Sequence, residues 1–188
     1  MDAFAYSLGA VRILVGLLLV VSAYGKLGQL YQQGVSDVLG YRLVGRRGAD
    51  LVAFFLPVVE MLLAAALVMG LLVPASNLVA AAFFLVLAGA AVSALARGLV
   101  TDCGCWGSLA RRRVGPVVVA RNLVIAALLL ADVFFVEQQR LVLVDSLQSP
   151  AYMGMGVVTL LLVLQRWSQR RAATRNSHPG AAPSAPTV

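Results

Sequence analysis

The chain is poor in charge. Only 12% of its 188 residues are Asp, Glu, Lys or Arg, about half the share of an ordinary soluble domain. A solvated surface on all sides is therefore excluded. Cysteine is scarcer still, with two residues, and there is one histidine, His178. Two cysteines allow a single bond, which excludes a disulfide scaffold. A closed zinc site wants about four Cys or His ligands, so the chain alone builds no such metal site. No cofactor motif is present, and no cofactor is expected. The start, Met1-Asp2-Ala3, is acidic, and the first apolar run is too long for a signal h-region. A cleavable leader is not expected.

What the chain has instead is apolar sequence. Hydrophobic residues make up 61%, against about 45–50% in soluble proteins. The net charge of +7 raises nucleic-acid binding, which we reject. The basic residues flank hydrophobic runs, where membrane orientation needs them, and no aromatic-rich basic motif accompanies them. The predicted fold is all-α: a polytopic membrane helix bundle in one domain, residues 1–167, with four core helices and a fifth.

The expected spans are 6–27, 51–73, 78–96, 116–136 and 151–167; the last, roughly 17 residues, is at the short limit for crossing a bilayer. Between the first two spans, Leu30, Tyr31, Val35, Val38 and Leu39 recur at helical spacing and predict a short interfacial helix. Residues 168–188, basic and then rich in Pro, Ala and Ser, are expected to be a disordered tail. Nearly every loop Lys and Arg falls in residues 28–50, 97–115 and the tail. Five spans put these three segments on one side, and positive loops face the cytoplasm. The charge thus predicts the N-terminus outside and the C-terminus inside.

Three charges within the apolar runs are singled out. Glu60 is about nine residues into its span, roughly 14 Å deep at the helical rise. An unpaired carboxylate there is costly, so it should be protonated, paired or turned into the bundle. Arg121 in the fourth span is the favoured partner, with Arg12 competing. A structural pair fixing helix register competes with a polar site for a proton, substrate or quinone head group. Lys26, at the end of its span, is expected to snorkel to the head groups. Tyr41, Trp106 and Trp167 fit interfacial aromatics.

Cys103 and Cys105 are separated by Gly104, which permits a tight backbone. A disulfide closed over so few residues is strained and easily reduced, which suits exchange better than stapling. Arg111, Arg112 and Arg113 favour thiolate if they fold back over the pair, and Asp102 opposes it. The competing reading is two inert thiols in a turn.

These residues resemble the MauE/DoxX-like membrane proteins, and the methylamine-utilisation MauE type in particular, over about residues 8–135. The resemblance runs through Arg12, Ser22 to Leu27 with Lys26, Tyr41, Leu56-Pro57-Val58-Val59-Glu60 and Gly70. Its most specific parts are Asp102-Cys103-Gly104-Cys105-Trp106-Gly107 and Arg121-Asn122; Trp106 stands where the family usually has Phe. The resemblance implies a bacterial inner-membrane protein. It further implies passage of reducing or oxidising equivalents to a thioredoxin-fold or disulfide-containing partner. Such maturation lies outside the cytoplasm, whereas loop charge puts the cysteines inside. Either electrons cross the membrane or the orientation is inverted. Two other functions compete: a non-catalytic accessory subunit of a larger membrane complex, and a small-molecule carrier using the buried charges.

Overall fold

A computed structural model describes residues 2–28, 31–99, 101, 114–135 and 150–176. The described residues form α1 (Asp2–Gly28), α2 (Tyr31–Gly40), α3 (Arg46–Met69), α4 (Ala75–Ala96), α5 (Pro116–Phe135) and α6 (Pro150–Asn176). Among the described residues, four helices are long and apolar enough to cross a membrane: Ser7–Leu27, Arg46–Met69, Ala75–Ala96 and Pro116–Phe134. The chain is a multi-pass helical membrane protein. Their outward faces carry exposed Leu14, Leu17, Phe55, Val79, Val86 and Val124. In water such a surface would aggregate, and in lipid it is solvated.

The bundle is two antiparallel pairs, α1 with α3 and α4 with α5, joined where α1 meets α5. Val15, Leu19, Leu63, Leu67, Phe84 and Leu129 meet in the shared core. Lipid tails are as apolar as leucine, so close backbone approach does much of the packing that water would otherwise drive. Ala64, Ala80, Ala81 and Ala126 supply the small surfaces. Gly16 is the tightest point: a Cβ there would lie 2.7 Å from Val68 Cγ2 and 3.1 Å from the Ala64 carbonyl oxygen. α3 stops at Gly70, which adopts a left-handed φ of 70° and donates its N–H to Ala66; glycine takes that conformation without a Cβ penalty. The expected second span, 51–73, therefore lies a few residues late at both ends.

α1 and α3 are out of step along their length. Lys26, near the end of α1, meets Glu60 well inside α3. The first turns of α3 thus extend beyond α1. α2, the expected interfacial helix, packs against α3. Tyr31 donates its hydroxyl to the backbone and side chain of Asp50, both at 2.8 Å.

α6 packs against the same part of α3. Pro57 has no N–H, which leaves the carbonyl of Ala53, four residues earlier, without its helical donor. Arg166 Nη2 donates to that oxygen at 3.0 Å. The Arg166 guanidinium also lies over the Tyr31 ring at 5.6 Å, within cation–π range. Gln169 donates to the Leu27 carbonyl, and Arg170 pairs with Asp50. These contacts correct the expected tail: helix continues from 168 to Asn176 because its polar residues find partners on α1 and α3. Residues 177–188 lie outside the described residues.

Candidate functional site

Two buried polar clusters interrupt the apolar bundle. In the first, Lys26 Nζ donates to Glu60 Oε1 at 2.7 Å, to Glu60 Oε2 at 2.9 Å and to Ser22 Oγ at 2.7 Å. Ser22 Oγ in turn donates to Glu60 Oε1 at 3.2 Å. Ser22 and Lys26 are one helical turn apart on α1, so one face of that helix presents both to α3. Both charged side chains are almost wholly buried. The charges cancel locally, and the lysine's three donors are all used. This overturns two expectations. Glu60 pairs with Lys26, not with Arg121 or Arg12, and Lys26 does not snorkel outward. The antiparallel offset of α1 on α3 decides both.

The second cluster lies toward the other end of α1. Arg12 and Lys26 are fourteen residues apart, roughly 21 Å along the helix at the usual rise. Arg12 Nη1 is 3.8 Å from Asp132 Oδ2 on α5. Asn77 Nδ2 on α4 donates to the same oxygen at 2.6 Å. Three helices are thereby tied by one carboxylate. Asp132 and Asn77 escaped the sequence reading, although an acidic residue inside the fourth apolar run was a visible signal.

Arg121 and Asn122 sit on α5. Asn122 is 1% exposed, and Arg121 Nη2 donates to its Oδ1 at 3.3 Å. The Asn122 Nδ2 atom is buried with no hydrogen-bond partner among the described residues. Buried amide donors are rarely left so, because desolvation without a partner is costly.

A cavity of about 330 Å³ lies beside α3 where that helix extends past the end of α1. Lys26, Glu60, Asn122 and Arg166 contribute to its lining. Most of the rest is apolar, including Leu56, Phe83, Val86, Leu87 and Val118. Tyr41, Ala91 and Val118 line the cavity and also pack in or against a small cluster built on Ala91, Ala94 and Val114. That cluster holds the base of the segment between α4 and α5, where Val114 donates its N–H to the Thr101 carbonyl at 2.9 Å. Arg97 fastens the α2–α3 connection to the same end, donating to the Tyr41 oxygen at 2.7 Å and the Arg42 oxygen at 3.1 Å. Gly40 packs directly on Thr101. Cys103, Gly104, Cys105, Trp106 and Gly107 lie outside the described residues. The structure thus brings Lys26, Glu60 and Asn122 to one cavity and sets Arg12 apart.

The family model described as methylamine utilisation protein MauE matches residues 4–135. This chain belongs to the MauE family. The methylamine utilization protein MauE of Paracoccus denitrificans is 37% identical over 125 residues, covering 66% of this chain and 67% of that relative. No solved structure matches the chain. The MauE match takes in α1 to α5, both polar clusters and the cysteine segment, and ends before α6.

Proposed function

We propose that this chain is a membrane thiol–disulfide component that serves a maturation process of the methylamine-utilisation type. Cys103 and Cys105 are the exchanging pair. One thiolate attacks the partner's disulfide and forms a mixed disulfide. The other cysteine then displaces the partner's second thiol. The partner gains two electrons and two protons as a dithiol, and Cys103 and Cys105 are left oxidised. Run backwards, the same steps oxidise the partner. The direction follows the two reduction potentials. A second dithiol or disulfide carrier resets the pair, and the partner is a thioredoxin-fold or disulfide-containing protein.

The observation that carries this reading is the position of the cysteine segment. Its two ends are hydrogen-bonded at Thr101 and Val114, on the end of the bundle that also holds the Lys26–Glu60 pair and the cavity. A rigid base suits a site that must meet a partner in one geometry. The MauE resemblance favours a bacterial cytoplasmic membrane, and loop charge favours the N-terminus outside, α6 as a fifth crossing and the pair on the inner side, so that electrons would cross the membrane to serve maturation outside it.

Thiol trapping in intact cells tests it. The pair is expected to cycle between oxidised and reduced forms, and Cys103→Ser with Cys105→Ser should abolish maturation of the dependent protein. A pair that stays reduced, with the double variant fully functional, overturns the redox reading in favour of an accessory subunit. A carrier would instead lose uptake on Glu60→Gln and keep it in the cysteine variants.

A further inference from the structure

The 330 Å³ cavity is within the usual size range of small-molecule sites, about 300–1,000 Å³, at its lower end. Its lining says what it accepts. Val52 and Val86 belong to the lining and are also exposed on the outer face of the bundle, Val86 by 71%. The cavity therefore reaches the lipid-facing side between α3 and α4, and it also meets the exposed Leu43 and Val44 at the α2–α3 connection. The inner wall carries three groups of fixed character. Lys26 and Glu60 neutralise each other and use up the lysine's donors. Arg166 is held by the Ala53 carbonyl and Gln169. Of these groups, Asn122 Nδ2 and Arg166 Nε are donors left buried without a hydrogen-bond partner among the described residues.

The geometry points to a binding site for a neutral, membrane-dissolved quinone. The ring enters from the bilayer, one carbonyl accepts the Asn122 amide proton, and the apolar tail leaves past Val86. The charge pattern argues against an anionic phospholipid head, because Asp37 and Glu60 in the lining balance Lys26 and Arg166. The lining is almost wholly apolar, which suits a ring and an apolar tail. Arg121 orients the amide by donating to Asn122 Oδ1, so the free end is the donor end. This inference does not depend on the cysteine pair.

The test is equilibrium binding of a decyl-tailed 1,4-benzoquinone to the full chain in phosphatidylcholine nanodiscs. Saturable binding near one per chain is expected. Asn122→Asp keeps the acceptor for Arg121 and deletes the donor, so affinity should fall ~5- to 10-fold, as expected for one lost hydrogen bond. Val86→Trp, at an exposed position that leaves the fold intact, should block the mouth and abolish binding. Decylbenzene, which has the tail and ring without carbonyls, should compete poorly. The inference is overturned if decylbenzene competes as well as the quinone, or if both variants bind like the parent. It is also overturned if extraction yields one tightly held phospholipid per chain that excess quinone does not displace.

Discussion

The Lys26–Glu60 pair is the most exacting part of the structure to perturb. At 2.7–2.9 Å and an effective dielectric of about 20, two unit charges attract by about 6 kcal/mol. Desolvation of both ions offsets much of this, so the pair's net contribution is small. Removing one partner is different, because it strands a charge among Ser22 and apolar side chains. Lys26→Met and Glu60→Gln should each destabilise by about 3–5 kcal/mol. Combining them leaves no charge to strand, and the double variant should lose less than about 3 kcal/mol, much less than the sum. The assay is reversible unfolding in mixed micelles followed by far-ultraviolet circular dichroism. The parent, both singles and the double variant would be compared under one condition. A double variant whose loss equals the sum within about 0.5 kcal/mol would refute direct coupling and with it the α1–α3 register.

Three other outcomes follow from the geometry. Gly16→Val should cost about 1–3 kcal/mol by overpacking, because its Cβ meets Val68 at 2.7 Å, whereas Gly89→Ala, with nothing within 4 Å, should be neutral or slightly stabilising in the same unfolding assay. Pro57→Ala restores the N–H that competes for the Ala53 carbonyl, so trypsin should cut faster at Arg166 and Arg170, as it should at Arg170 in Arg166→Ala; unchanged cleavage in both sinks the docking argument. Tyr31 lies outside the spans, and its phenol is pushed up to about 12, first by burial, then by the hydrogen bond to Asp50 and that carboxylate's charge. Its folded value exceeds the ordinary 10.0, so its stabilisation is complete below about 10 and lost as pH rises through about 12. Tyr31→Phe should flatten that alkaline loss in a pH series of unfolding midpoints.

Much of the fold was legible because lipid imposes a simple pattern. The apolar runs and the basic flanks marked α1, α3, α4 and α5 to within a few residues. The helical spacing of Tyr31, Val35 and Val38 found α2. The end of α3 is placed late because Gly70 is tolerated in spans, and its start is placed late because Arg46, Arg47 and Asp50 look like loop charge. Pairing was harder. Depth from helix ends suggested Arg121 or Arg12 for Glu60, but depth assumes that helices start level. α1 ends short of α3's first turns, and only tertiary packing fixes that offset. The helical extension of α6 was missed for the same reason. Arg166, Gln169 and Arg170 read as solvated charge until their acceptors on α1 and α3 are known. Asn122 was marked by its motif, but its unmet donor appears only once α5 is packed.

The offset that buries Lys26 bears on how the chain is made. Lys26 emerges from the ribosome 34 residues before Glu60. In that interval Lys26 lacks the carboxylate it is paired with in the folded bundle. A lysine at the end of a helix can wait with its amine at the water boundary, whereas a carboxylate in the middle of α3 has no such refuge. The order of synthesis therefore delivers first the ion that tolerates waiting. The second ion then draws it inward as α3 arrives, so that closure of the α1–α3 pair and burial of the charge are one event.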